Sequence, residues 1–408
     1  MGSKKFINEA MNENHPQYKI AVQRQKKLYQ RTNDRRSAFG RDYTRIIFSE
    51  AYRRLKHKTQ VFFAPENDHI CTRIEHVNLV ESVSHTLASE LGLNVELTKA
   101  IAVGHDLGHA PFGHGGEKIL TGIAKEHGLH QFWHEQNSLH FVDDIELLED
   151  DDYQYHNLDL TYAVRDGIIS HCGEMNQQYI QRRKEAIDLG VYQKPGQYNP
   201  FTYEGCVVKI SDKIAYLARD IEDALTLKVI QPHEVAVLKE ELNQISSYQF
   251  HAINNGSIVN YFIQNIIENS SVEKGIGMSH EALLIMKKII DFNYQYIYLI
   301  KRVNVHTQYV SLVLHSIFDY LYEHKEQRDF LLSLENQKNT HPKLISTYID
   351  WLKKYALLPD CQRDDRYQNR IIYDFIDDPQ AMEKSIIDYL SGMTDIFIVQ
   401  VFNELISF

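Results

Sequence analysis

Residues 77–91 place Val77, Val80, Val83, Leu87 and Leu91 at three- and four-residue steps. That spacing sets side chains on one face of an α-helix. Gly92 follows as a C-terminal stop, and Asn94 stands where it can cap a second helix, VELTKAIAVG. The pair reads as a helical hairpin. TRIEH (72–76) lies at its start, and its end runs into GHDLGHAPFGHGGE (104–117). Closing the hairpin brings His76 to the adjacent residues His105 and Asp106. Few folds satisfy that demand and still bury the apolar face.

The rest of the chain reads the same way. Glycine and proline are sparse, 19 and 9 in 408 residues. Helical periodicity fills 205–228, 232–267, 280–302, 307–325, 343–356 and 380–406. Strand alternation is not sustained anywhere, although TQVFF and ICTRI could form a short hairpin near 59–72. The expected fold class is all-α: a helical core, additional C-terminal helices and at most a short β-hairpin. The acidic stretch 143–158 and the Pro- and Gly-containing stretch 189–205 read as loops. A soft boundary near 230 gives three expected parts: an N-terminal segment (1–33), a motif-bearing core (34–230) and a helical region packed on it (231–408).

Several function classes are disfavoured. No run reaches the roughly 18 apolar residues of a membrane span. The start, MGSKKFINEAMNE, lacks the apolar core of a signal peptide, so a cytoplasmic protein is expected. Cys71, Cys172, Cys206 and Cys361 stand singly and read as reduced thiols. A net charge of −11, from 44 basic and 55 acidic residues, argues against nucleic acid as the main partner. Residues 35–58 are locally basic. They suit either an anionic small molecule or a helix face pairing with acids.

His76, His105, Asp106 and Asp212 supply two imidazoles and two carboxylates. Adjacent helical residues point about 100° apart, so His105 and Asp106 can both reach one ion. This donor set suits one divalent metal with open positions: Mg, Mn, Fe, Co, Ni or Zn, which share such ligands. His114 folds back across the A-P-F-G turn, and Glu117 lies three residues on to orient its ring, an acid/base dyad. Arg73 shares a face with His76 and would aim a guanidinium at an anion on the metal. Lys213 follows Asp212. Tyr216 and Asp220 share the Asp212 face and suit a sugar ring and its hydroxyls.

The ordered strings DRRSAFGRDYTRIIFSEAYRRLKHKTQVF (34–62), TRIEHVNLV (72–80), GHDLGHAPFGHGGE (104–117), HEQNSL (134–139) and SDKIAYLARD (211–220) carry a resemblance. The chain resembles the HD-domain deoxynucleotide triphosphohydrolases, which include the bacterial deoxyguanosine triphosphate triphosphohydrolases. The resemblance implies an all-α HD core, assembly as a homo-oligomer, and a nucleotide effector at a subunit contact. It implies hydrolysis of a dNTP, dGTP favoured, between the sugar 5′ oxygen and the α-phosphorus. The products are then deoxynucleoside and inorganic triphosphate. His76, His105, Asp106 and Asp212 match metal ligands, and His114 and Glu117 match the dyad. Arg73, His109, His134 and Lys213 match triphosphate contacts. Gln60, Tyr216 and Asp220 match positions around the deoxyribose. Base-recognition residues find no match, and Lys301–Arg302 read as a basic helix end. Two other readings compete: another HD-type phosphatase or phosphodiesterase, and a non-catalytic nucleotide sensor. The FGHGGE extension with HEQNS, and the intact ligand set, favour the triphosphohydrolase.

Overall fold

The computed structural model describes residues 4–28, 33–63, 67–172, 177–325, 327, 329–359 and 361–407. Among them the fold is all-α, with strands only as three short pairs. Seven helices carry the residues of interest: α1 (Ala38–Phe48), α2 (Arg73–Leu91), α3 (Val95–Gly104), α4 (Gly113–Glu126), α5 (His134–His140), α6 (Tyr162–Ser170) and α7 (Tyr203–Thr226). Local signals set the hairpin as the sequence expects. The Thr72 amide donates to Glu75 Oε2 at 2.7 Å and opens α2. Gly92 closes it in the left-handed conformation, φ 83°. Asn94 Oδ1 then accepts from the Leu97 amide at 3.1 Å and starts α3.

The chain forms two compact units that interleave along the sequence. The first takes Met1–Ile47, Glu66–Asp106 and Asp159–Asn304. In it α2, α3, α6 and α7 pack on one another. Val77, Val80, Leu87, Ile101, Ile168, Ile210, Ile214 and Leu217 fill their shared interior. Burial of such side chains contributes roughly 1.5–3 kcal/mol each before entropy is set against it. Buried Glu204, on the first turn of α7, accepts from the Met11 and Asn94 amides at 2.9 Å each. It fixes the N-terminal segment and the start of α3 to α7. Asp42 of α1 does the same for α6, accepting from Thr161 through its amide and hydroxyl at 2.8 and 2.7 Å.

The second unit takes Phe48–Pro65, Leu107–Leu158 and Val305–Phe408. Here the glycine-rich string is pinned at His109 and Phe112. Buried Lys58 donates to the His109 carbonyl at 2.5 Å and the Ser391 carbonyl at 2.8 Å. Asp395 accepts from the Thr59 and Phe112 amides at 2.8 and 2.9 Å. Phe112 and Gly113 both take left-handed φ, 60° and 61°, which turns the chain into α4. Gly116 is required because a Cβ there would lie 1.8 Å from the Pro111 carbonyl oxygen. At Gly108 a Cβ would lie 2.2 Å from the Asn137 and Ser138 backbone of α5.

Some expectations need correction. In the expected hairpin near 59–72 only Thr59 and Thr72 are single β-bridge positions, with no strand over 59–63 or 67–72, and the link 64–66 lies outside the described residues. The pattern over 232–267 is two helices, Pro232–Ile245 and Asn255–Asn269, because Asn254 caps a new start through the Ser257 amide at 2.9 Å. The pattern over 280–302 is His280–Asn293 followed by a π-helical turn, Tyr294–Tyr298; the next helix is Lys301–Tyr322. The last stretch breaks at Met393–Thr394 into Ala381–Gly392 and Asp395–Ile406, with Thr394 as the cap. The acidic stretch 143–158 is no plain loop: Leu147–Glu149 pairs antiparallel with Tyr155–Asn157. Among the described residues no helix is long and apolar enough to cross a membrane.

The basic stretch divides by environment. Arg54 donates to Glu146 at 2.6 Å, and Arg36 and Arg41 meet Asp34 at 2.8 and 3.3 Å. Lys58 is committed to backbone carbonyls. These four side chains bind the chain to itself.

Gly108→Ala should lower stability by about 2 kcal/mol or more, because its methyl meets backbone that cannot rotate away. Urea unfolding measures this, and an unchanged midpoint would contradict the close approach of 108 to α5.

Candidate metal centre and active site

His76 sits on the first turn of α2, His105 caps the end of α3, and Asp212 lies mid-way along α7. Their ligand atoms all lie within 4.8 Å of one another. One carboxylate oxygen, Asp212 Oδ1, is 2.9 Å from His76 Nε2 and 3.8 Å from His105 Nε2. His105 is fully buried. Its Nδ1 faces the Ala102 carbonyl at 2.6 Å, and a carbonyl only accepts, so Nδ1 carries the hydrogen. In the neutral ring Nε2 is then a bare lone pair. It has no hydrogen-bond partner among the described residues.

A buried polar atom left this way costs roughly 1–3 kcal/mol. A cation in front of it removes that penalty. Two imidazoles and a carboxylate facing one point, one nitrogen orphaned, fit a divalent metal. Burial holds His105 neutral, its pKa lowered to about 4. Burial opposes charge on Asp212, but the hydrogen bond from His76 and the nearby imidazoles outweigh it and hold the carboxyl well below its usual range. Asp106 follows His105 and is buried, but it falls outside the 4.8 Å group. One of its oxygens, Oδ2, accepts from Arg73 Nη1 at 2.8 Å. Arg73 therefore holds a carboxylate in this structure.

Gln60, His109, His114, Glu117 and His134 belong to the second unit. Glu117 lies on α4 and His134 opens α5. Glu117 Oε1 accepts from the His134 amide at 2.9 Å and from His134 Nδ1 at 3.1 Å. His114 Nδ1 reaches Glu117 Oε2 at 3.4 Å, the looser contact. Burial works against the Glu117 charge, yet His134 and the two imidazole hydrogen bonds outweigh it and keep the carboxyl ionised far below its usual range. His109 stacks on His134, ring centroids 4.6 Å apart. The His114 side chain is 77% exposed, so its ring can meet a ligand from solvent.

The HD domain family matches residues 73–217, the span from Arg73 to one residue past Tyr216. A deoxyguanosinetriphosphate triphosphohydrolase-like protein of Caldanaerobacter subterraneus subsp. tengcongensis is 34% identical over 80% of this chain and 84% of its own. A protein of the same description from Desulfatibacillum aliphaticivorans is 36% identical over 70% of this chain and 73% of its own. Another, from Rickettsia bellii, is 30% identical over 91% and 92%. This chain belongs to the HD-domain deoxyguanosinetriphosphate triphosphohydrolase-like family.

Further along α7 of this HD-domain protein, Tyr216 and Asp220 follow Asp212 at one-turn steps, as expected. Lys213 is also largely buried. Burial first, then Asp212 and Asp220, raise the Tyr216 phenol above its ordinary value. The sequence did not point to Tyr298, whose hydroxyl donates to Asp220 Oδ2 in a short hydrogen bond. Tyr298 ends the π-helical turn, and a 3.6-residue period cannot locate a side chain there. His171 was also missed. It caps α6, fully buried, with its ring 4.9 Å from that of His105. The only sequence signal for it was a His ending an apolar helix.

The metal-free protein should lose stability as pH falls from about 6.5 to about 4. Across that window the unfolded chain binds a proton that folded His105 refuses, so protonation favours unfolding. The effect approaches about 3 kcal/mol at most. Denaturant midpoints against pH should show a shallower slope in His105→Gln, and an equal slope would contradict the assignment.

Proposed function

We propose that this protein hydrolyses a deoxynucleoside triphosphate, dGTP first, to deoxynucleoside and inorganic triphosphate. The observation that carries the metal-dependent part is the convergence of His76, His105 and Asp212 with the orphaned His105 Nε2. The relatives' description as deoxyguanosinetriphosphate triphosphohydrolase-like supports the substrate.

In this reading His76, His105, Asp106 and Asp212 hold one divalent ion. The ion would acidify a bound water and draw charge from a phosphoryl oxygen. Phosphoryl transfer then needs positioning and charge neutralisation from the chain. Arg73, His109, His134 and Lys213 neutralise the triphosphate. His114 moves the proton at the leaving 5′ oxygen, and Glu117 orients its ring. The clamp of Glu117 on His134 keeps that carboxylate ionised for the task. Gln60, Tyr216 and Asp220 receive the deoxyribose, with Tyr298 steadying Asp220. All of these residues except Tyr298 fall within 34–230, the proposed catalytic core. The helices of 231–408, homo-oligomer formation and a nucleotide effector complete the proposal.

Incubation of each dNTP with Mn or Mg and separation of products tests it. Inorganic triphosphate and deoxynucleoside are expected, and a chelator should stop their release. Orthophosphate or nucleoside monophosphate as the sole phosphorus product would instead favour another HD-type phosphatase or phosphodiesterase. His114→Ala should lower kcat about 10²–10⁴-fold with metal and nucleotide binding retained. Full turnover in that variant would remove the dyad.

A further inference from the structure

Glu135 follows His134 in the first turn of α5 and is buried, 1% exposed. Neither of its carboxyl oxygens has a hydrogen-bond partner among the described residues. Buried polar atoms nearly always keep a partner, because burial strips away the water that would otherwise serve. A Leu in the same turn would pack without that cost. An acid left with both oxygens bare points to something that binds it.

Its neighbours are metal donors. Glu135 Oε2 lies 3.6 Å from His134 Nδ1, beyond good hydrogen-bond reach. The same nitrogen is 3.1 Å from Glu117 Oε1. Ligand atoms of Glu117, His134 and Glu135 all fall within 4.8 Å of one another, and all three residues belong to the second unit. Zinc bonds of roughly 2.0–2.2 Å at tetrahedral angles place neighbouring ligand atoms about 3.3–3.6 Å apart. The two spacings here span that edge. The His134 amide donates to Glu117 Oε1 at 2.9 Å, so α4 and α5 hold the group together before any ion arrives. Imidazole and carboxylates are the donors of three-ligand zinc sites, which keep water in the fourth position. The Glu117 and His134 side chains are 16% and 11% exposed, which gives an ion a way in from solvent.

We propose that Glu117, His134 and Glu135 form a second cation site, built for Zn²⁺, whose filling inhibits turnover. The ion replaces the hydrogen that His134 Nδ1 donates to Glu117, and that proton leaves to water. Mn²⁺ stands lowest in the first-row affinity order, so the site selects Zn²⁺ over it. In the proposed reaction Glu117 orients His114 and His134 meets the triphosphate. The bound ion withdraws both. The binding step stands on the geometry alone; only the loss of turnover rests on the proposed function.

Equilibrium dialysis of the full-length protein against buffered Zn²⁺ tests the site. Two ions per chain are expected, one at His76, His105, Asp106 and Asp212 and one here. Glu135→Gln keeps the shape, removes the anionic ligand and should bind one ion, and that remaining ion reports that the variant is folded. His105→Ala should bind one, and the double variant none. Two ions in Glu135→Gln, or a single ion in the unchanged protein that His105→Ala abolishes, overturns the site. Diffraction at the zinc edge from crystals of the unchanged protein gives the same answer without a variant: a peak touching Glu135 is expected, and no peak there overturns the site. In Mn²⁺-supported dNTP turnover, Zn²⁺ should inhibit the unchanged protein at concentrations at least about 10-fold below those that inhibit Glu135→Gln. Equal sensitivity of the two proteins overturns the inhibitory role. Absence of turnover with every dNTP, with two Zn²⁺ still bound, would instead sink the proposed function and leave the site standing.

Discussion

A buried imidazole with its lone pair fixed in place is the contact on which the rest of the site depends. His105 is tied through Nδ1 to the end of its own helix and cannot turn away. Its other nitrogen faces Asp212, 3.8 Å off, too far for a good hydrogen bond. The fold keeps this unpaired atom against a penalty of roughly 1–3 kcal/mol. Structures retain such costs where a ligand offsets them. The packing of α2, α3, α6 and α7 surrounds this point, and the capping residues Thr72, Asn94 and Thr202 fix where α2, α3 and α7 begin.

The second unit solves a different problem. The proposed acid/base pair needs a carboxylate that stays ionised and a ring that can meet its ligand. Glu117 achieves the first through His134, which donates from both backbone and ring. His114 achieves the second by standing mostly in solvent. Neither would hold its place on a free loop. Lys58 and Asp395 clamp the turn before α4, and Gly108 and Gly116 let it lie against α5 and the Pro111 carbonyl. The glycines of this string therefore serve close approach, and the left-handed pair Phe112–Gly113 supplies the change of direction.

Much of this was legible in the sequence, for identifiable reasons. Helix ends with strong local chemistry, such as Gly92 and Asn94, appeared where expected. His76, His105 and Asp212 were legible because an antiparallel hairpin and one long helix leave few ways to arrange them. Other features depend on tertiary context. The break between Ile245 and Asn255 carries no proline, and the cap at Asn254 looks like any Asn. Tyr298 depends on a π-helical turn that shifts its side chain out of the expected phase. Lys58 looked like one more charge in a basic stretch, but its partners are carbonyls at His109 and Ser391, the latter far along the chain. The tighter partner of Glu117 is His134, which no local spacing could rank above His114.

The central claim is that the four groups His76, His105, Asp106 and Asp212 hold one cation. Anomalous diffraction from crystals soaked in Mn²⁺ tests it most directly. The account predicts one strong peak in contact with His76, His105 and Asp212, with Asp106 completing the set. A peak elsewhere, or none at saturating Mn²⁺, would contradict it.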